Sequence, residues 1–448
     1  MPIQVVHFKH NQITYLPNQS APVVSNDVLL YHQAGLPFNM DLVIGTLDKT
    51  DSPKETTMVS HGSQSRDIAI VGVAESDEMG TVPHKSSLQH HAEAAHNALE
   101  DAGLSKGDIN GLLTAGFSTL VTAEYMGIQP TFTDNTSVGG SSFVIHVAHA
   151  IAAIRAGYCD TVLITHGQAG RSTRARVPVD GNLPVAQFES PYGLIGQPIN
   201  YALACTRYMH EYGEDRTREA MAEIAVSTRK WANLNPKAVM HETPMTFDEY
   251  HNSRWVAWPF HLPDCCLVTD SGAAIIVTTA EKAANCKKQP VWVLGASESH
   301  DHGIISTMPS FTSLIARETG PKAMAQAGIR HDDIDLTMIY DSFTYTVMLT
   351  LEGLGFCRPG EAADFVKGQR TAPGGDFPLN TSGGGLSYTH PGMYGSFLLV
   401  EAVRQLRGEC GDRQVKKRLS PTSNPEISIV NGTGGSLSST GTVVLATG

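Results

Sequence analysis

Three groups of residues in this chain of 448 have types and spacings that could do chemistry. The first lies in the last third: Tyr340, Tyr345, Tyr388, His390 and Tyr394. Tyrosine acts as a general acid or base when its neighbours tune its pKa, and a positioned histidine donor stabilises a developing oxyanion. Taken singly, Tyr345, Tyr388 and Tyr394 read more readily as packing, and Asp341 either orients a neighbour or caps the helix after it. The second group is glycine. Gly383-Gly384-Gly385 and Gly432-Thr433-Gly434-Gly435 read as loops whose backbone crowds a ligand, and neither matches a Walker or dinucleotide fingerprint. The third is Arg171, Arg174 and Arg176, three cations in six residues of an acidic chain. They would hold phosphate groups; a solvated loop is the plainer reading.

Metal signals are weak. His146 and His149 fall one helical turn apart, but no third ligand is signalled nearby, and packing explains them better. His300-Asp301-His302 is equally thin, so no metal site is expected. The seven cysteines are odd in number, scattered and without a CxxC pair. Adjacent Cys265 and Cys266 make neither an ordinary disulfide nor a spaced clamp. With no signal peptide read at the N-terminus, a reducing cytoplasm is the expected location.

These residues need a scaffold, and composition bounds it. Hydrophobic residues make up 41% and charged residues 17%, which excludes a disordered acidic chain and a coiled coil. The net charge of −12 repels nucleic acid and anionic membranes at long range. No run of 18 apolar residues occurs, so a soluble protein with no membrane partner is expected.

Residues 1–65 read as an N-terminal extension, poor in periodic apolar stretches and ending in a polar run. It either wraps the surface or is upstream sequence from an over-early start codon, with Met58 a second candidate start. From Arg66 onward strands alternate with helices, which predicts a mostly parallel sheet covered on both faces. Ala102-Gly103-Leu104-Ser105-Lys106-Gly107-Asp108-Ile109-Asn110 recurs as Ala327-Gly328-Ile329-Arg330-His331-Asp332-Asp333-Ile334-Asp335. A Gly/Ser-rich turn, helix and strand at 139–165 likewise recur at 383–430. The chain therefore divides into an N-terminal half at 66–285 and a C-terminal half at 286–448, with catalytic groups expected where the halves meet. Residues 168–262 form an insert with its own helix at Arg218–Trp231, too long for a structureless loop.

Several of these motifs, in order, resemble the thiolase superfamily over residues 66–448. They are Asp270-Ser271-Gly272-Ala273-Ala274, Asn380-Thr381-Ser382-Gly383-Gly384 before His390-Pro391-Gly392, and Gln405-Leu406-Arg407-Gly408-Glu409-Cys410-Gly411. Leu354-Gly355-Phe356-Cys357 is similar to the sterol carrier protein-type branch. The resemblance implies an α/β fold of duplicated βαβαβ halves in five layers, α-β-α-β-α, with an inserted loop domain. It also implies a homodimer, a coenzyme A thioester as substrate and no separate cofactor. The glycine loops, with Gly383, Gly384 and Gly434, would then lie near the thioester and pantetheine, and Arg171 and Arg174 near the phosphates.

The departures narrow the chemistry. Counting back from Gly157 puts the thiolase nucleophile at or beside Gly140, within Val138-Gly139-Gly140-Ser141-Ser142, where no cysteine stands. The late acid/base cysteine would fall in Val430-Asn431-Gly432-Thr433-Gly434-Gly435, again without one. A His-Asp-Cys-Phe-like motif reads Tyr340-Asp341-Ser342-Phe343, and only His390 of the usual set remains. Glycine forms no acyl-enzyme, and Ser141 and Ser142 read as helix caps. A retro-aldol cleavage of a 3-hydroxyacyl-CoA needs no covalent intermediate. The chain thus resembles cysteine-lacking, thiolase-like aldolases of steroid side-chain degradation. Such aldolases rely on tyrosines and work with a small OB-fold and zinc-ribbon partner protein. The expected catalytic set is Tyr340, His390, Tyr388 and Tyr394, with Tyr340 moving the proton and His390 holding the enolate. A non-catalytic acyl-CoA-binding or partner-binding homologue and an acetyl-CoA acetyltransferase are the alternatives.

Overall fold

The computed structural model describes residues 6–9, 12–15, 66–173, 180–418, 420 and 422–448. The expectations for Arg174 and Arg176, and for most of the 1–65 extension, lie outside the described residues. The chain divides into two units, Met1–Ser60 and His61–Gly448. In the first, Val6–Lys9 and Gln12–Tyr15 pair as an antiparallel hairpin with Val6 opposite Tyr15.

The second unit is built on a nine-stranded sheet. Strand β1 (Ile68–Glu75) is buried along its whole length, as a strand covered on both faces must be. Helix α1 (Ser87–Ala102) begins at a Ser86/Gln89 capping box and stops at Gly103 with φ 72°. Then come β2 (Gly111–Leu113), α2 (Thr119–Met126), β3 (Phe132–Asp134), α3 (Ser142–Arg155) and β4 (Thr161–Ala169). The insert supplies α4 (Gln197–Tyr212) and α5 (Glu214–Asn233), and β5 (Asp270–Thr279) follows. The remainder is β6 (Val291–His300), α6 (Ala316–Ala327), β7 (Leu336–Ile339), α7 (Thr344–Gly353), α8 (Gly395–Arg407), β8 (Ile427–Gly434) and β9 (Ser439–Ala446).

The repeated nonapeptide is a helix stop followed by a strand start. Gly103 and Gly328 both take the left-handed conformation after α1 and α6. In each copy a carboxylate folds back on a backbone N–H: Ser105 to Asp108 and Arg330 to Asp333, both at 2.8 Å. The strand order is β7-β8-β9-β6-β1-β5-β4-β2-β3, so β1-β5-β4-β2 in one half is matched by β6-β9-β8-β7 in the other. The half-sheets join where Ile70 faces Val291 and Ala69 faces Trp292.

The sheet is mixed, which corrects the expectation of a mostly parallel one. Among the described residues, β2–β3, β2–β4 and β7–β8 pair in parallel, and the other neighbours are antiparallel. The reason is the last strand of each half. A short turn joins β8 to β9, and a short turn can join only antiparallel neighbours. β9 and its counterpart β5 therefore run against strands that otherwise share one direction.

Helices α3 and α8 each pack on strands of both halves, while α1 covers β1, β4 and β5 and α6 covers β6 and β9. Two outer helix layers, two half-sheets and a central helix layer make five layers. The insert holds two long helices where one was expected. In α4 the buried positions Tyr201, Cys205, Tyr208 and Met209 have helical spacing, but Tyr, Cys and Thr are weak helix formers and hid the pattern. No helix of the described residues is long and apolar enough to cross a membrane.

Candidate active site

Tyr340 follows the last residue of β7, and its backbone N–H donates to Asn431 O on β8 at 2.9 Å. The strand pair thus delivers the phenol between the halves. Its hydroxyl lies 2.8 Å from His390 Nε2, and the backbone N–H of Tyr394 donates to the phenol oxygen at 3.0 Å. The rings of His390 and Tyr394 both meet Tyr340 edge to face. Because the oxygen already accepts from Tyr394, the phenol's own proton is free to go to Nε2. One lone pair on the oxygen then stays open.

All three rings are buried, Tyr340 at 4% and His390 at 7% exposure. Burial pushes the Tyr340 phenol well above its ordinary range and pulls His390 down to about 4. Both groups are therefore neutral near pH 7. Tyr394 is held by Ser382, with hydroxyls 3.0 Å apart, and stacks on Phe397 at 5.5 Å.

The remaining expected residues are placed as follows. Tyr388 turns away from this trio: its hydroxyl donates to Glu75 at 2.6 Å, and Arg404 grips the same carboxylate at 2.5 and 2.7 Å. Gly383 packs on Ala232 of α5, and Gly384 (φ 59°) on Asp341, where a Cβ would sit 2.0 Å from Oδ2. Asp341 accepts from the Gly385 and Leu386 N–H groups at 2.7 and 3.3 Å, and burial pushes its carboxyl up to about 7. Gly434 packs on Val138 O and Ser141 Oγ. At all three glycines the backbone presses against protein atoms. Arg171 is exposed in the turn Gly170–Thr173, and its backbone N–H donates to Asp270 at 2.7 Å. Neither serine caps α3 as expected: Ser142 Oγ donates to Gly139 O at 2.6 Å and accepts from the Val138 N–H at 2.9 Å, bracing the turn before the helix, and Ser141 Oγ lies 2.8 Å from Ser439 Oγ.

Gly140 sits in that turn, and a Cβ on it would lie 2.2 to 2.4 Å from Cε2, Cζ and Oη of Tyr340. The phenol ring occupies the space into which a side chain at 140 would project. Cysteine does not take over the role. Burial pushes the Cys266 thiol up, and all seven cysteines are free. His149 bridges Asp134 and Glu298 at 2.5 and 3.2 Å, and His302 is taken up by Asp301 and Ser436 O.

The sequence reading missed His166 on β4. It is 1% exposed, and its ring lies 4.8 Å from that of Phe143 on α3. A lone histidine in a strand carries no motif, so only the fold brings it here.

Half-sheets of matched order around a shared helix layer, with reactive groups at their junction, define a thiolase-fold protein, and comparison agrees. Residues 297–447 match the thiolase C-terminal domain-like family. The chain is 35% identical to a 17-hydroxy-3-oxo-4-pregnene-20-carboxyl-CoA lyase of Mycobacterium tuberculosis, over 76% of this chain and 91% of the relative. It is 34% identical to a steroid side-chain-cleaving aldolase of Thermomonospora curvata, over 76% and 90%. Among solved structures, one titled Ltp2-ChsH2(DUF35) aldolase aligns with a TM-score of 0.76 and 29% identity, over 86% of this chain and 99% of that one. The chain belongs to the thiolase superfamily and lies close to the steroid side-chain-cleaving aldolases.

Proposed function

We propose that the protein is a retro-aldolase that cleaves the Cα–Cβ bond of a 3-hydroxyacyl-CoA, with a steroid side chain as the favoured acyl group. The observation that carries this reading is the Tyr340 phenol filling the space beside Gly140. An acyl-enzyme has no nucleophile there, whereas a proton-moving pair is in place. Coenzyme A enters as part of the substrate thioester and no other cofactor is required.

The open lone pair of Tyr340 accepts the 3-hydroxyl proton while the phenol's own proton passes to His390 Nε2. The Cβ–O⁻ collapses to a carbonyl, the Cα–Cβ electrons move onto the thioester, and an enolate forms. The buried imidazolium is tolerated only while the enolate charge faces it. The same burial then drives the proton back through Tyr340 to Cα, giving a carbonyl product and a shortened acyl-CoA. Tyr394 orients the phenol through its N–H. Tyr388 takes no part and is a structural hydroxyl on Glu75. His390, engaged by Tyr340, works as the phenol's proton acceptor and not as the enolate's donor.

The relative solved as Ltp2-ChsH2(DUF35) carries a second component in its title. That supports a partner protein for this chain as well; its OB-fold and zinc-ribbon type, a homodimeric core and a cytoplasmic location are what the family resemblance implies. The test is turnover of 3-hydroxyacyl-CoA candidates by the protein with and without such a partner, followed by mass detection of both products. Thiolysis of a 3-ketoacyl-CoA without aldol cleavage would refute the reading.

A further inference from the structure

Three buried hydroxyls lie end to end beside His390. Thr269 Oγ1 is 2.8 Å from Thr389 Oγ1, which is 3.0 Å from Ser271 Oγ, and all three residues are 2% exposed or less. The backbone N–H of His390 donates to Thr269 Oγ1 at 2.9 Å, and the backbone N–H of Thr269 donates to His390 O at 3.3 Å. One threonine therefore grips both main-chain groups of His390. The direction of the hydroxyl chain follows from that grip. Thr269 Oγ1 accepts from His390, so its own proton is free for Thr389, whose proton is free for Ser271.

The two members of the reacting pair are not equally anchored. Tyr340 follows strand β7 and is bonded to β8, whereas His390 lies in no helix or strand. Its place is set by hydrogen bonds from outside its own segment. Thr269 closes a short stretch that reaches the surroundings of both partners. The Cys266 N–H donates to Ser342 O at 3.0 Å, two residues past Tyr340, and the Leu267 N–H to Gly385 O at 2.9 Å, five residues before His390. That stretch runs directly into β5 at Asp270, so β1 and β4, which flank β5, hold it in place. Valine has the shape of threonine and accepts no hydrogen bond. At position 269 it would leave the His390 N–H unpaired in a dry interior, and the loop would shift to find another acceptor.

We propose that Thr269 is a positioning residue for the reacting pair: its hydroxyl, backed by Thr389 and Ser271, holds the His390 main chain so that Nε2 stays 2.8 Å from the Tyr340 phenol. The consequence for turnover rests on the retro-aldolase reading; the geometry does not. The N-terminal half thereby sets the spacing of a pair drawn wholly from the C-terminal half.

Thr269→Val and Thr269→Ser, each compared with the unaltered protein, provide the test. Misplacing a reacting group by about 1 Å costs about 10²-fold, so Thr269→Val should lower kcat by that order with KM little changed. Thr269→Ser, which keeps the hydroxyl, should retain most of kcat. A second measurement needs no turnover: NMR titration of the His390 ring in histidine-labelled protein, its signal assigned by its loss in His390→Gln. In the unaltered protein burial holds this pKa down to about 4. In Thr269→Val the loosened ring meets water, and the pKa should rise towards its ordinary value. The other titratable groups around the ring are Tyr340, Tyr394 and His166, with Asp341 across Gly385, and the substitution alters none of them. If Thr269→Val does not fold, Thr389→Val, which removes the hydroxyl behind Thr269, should move both readouts in the same direction, and unmoved readouts there would overturn the proposal. A folded Thr269→Val protein with full kcat and an unmoved titration would overturn it too, as would a loss of kcat with the titration unmoved. An unaltered protein that cleaves no 3-hydroxyacyl-CoA would sink the aldolase reading, and the titration would still decide the role of Thr269.

Discussion

Gly140 and Tyr340 share one volume: a Cβ on the glycine would fall 2.2 Å from the Cε2 of the tyrosine. Two atoms cannot be that close, so the absence of a side chain at 140 and the presence of a phenol at 340 are one structural fact. The first prediction follows from it. Gly140→Ala must push the Tyr340 ring off His390, costing about 1 to 3 kcal/mol of overpacking and most of the activity. Gly140→Cys should behave the same way and gain no thiolase activity. Thermal unfolding beside a cleavage assay checks both. An alanine variant of full stability and activity would mean the contact is absent in solution.

Tyr340→Phe removes the hydroxyl and keeps the ring. Turnover should fall by about 10²- to 10⁴-fold with substrate affinity little changed. Iodoacetamide should leave activity largely intact, because burial holds the Cys266 thiol protonated. Inactivation accompanied by mass at Cys266 or Cys357 would return the enzyme to covalent chemistry.

The pH profile should lack an ordinary histidine limb. His390 must be neutral to accept a proton, and burial brings its pKa to about 4. For the free enzyme, kcat/KM should stay level from about pH 7 down to about pH 5 and fall only towards pH 4. A drop centred near 6.5 would show that the His390 ring is hydrated.

Tyr388→Phe should separate structure from chemistry. Its hydroxyl donates to Glu75, which Arg404 and Lys237 also hold. Removing it should cost about 1 kcal/mol of stability and leave kcat nearly unchanged. A large loss of kcat at full stability would bring Tyr388 back into the reaction.

His149 ties Asp134 on edge strand β3 to Glu298 on β6, and bonding to Asp134 raises its pKa. A raised histidine stabilises the fold fully below its unfolded pKa, and that contribution is lost as pH rises through the folded value. His149→Gln should therefore lower the melting temperature more at pH 6 than at pH 9. A pH-independent difference would show that the ring acts by packing alone.

Much of this architecture is written locally. Gly103 and Gly328 end their helices because left-handed backbone suits glycine, and the carboxylates after them fold back within three residues. Such signals sit inside a few residues, so the repeat, the two halves and the missing cysteine at Gly140 were all legible in one dimension. Tyr340 and His390 were legible too, as positions of a motif.

What pairs with what was decided only in three dimensions. Strand periodicity reports which face is buried and says nothing of which neighbour a strand takes, so the antiparallel placement of β5 and β9 was invisible. The same holds at the site. Tyr388 and Tyr394 are six residues apart and look alike in sequence, yet one reaches Glu75 and the other reaches Tyr340. His166 had no motif, and only the fold buries it against Phe143. Side-chain type is set by the chain alone; the partner, the protonation state and the space at Gly140 depend on residues that are distant in sequence and meet only in the fold.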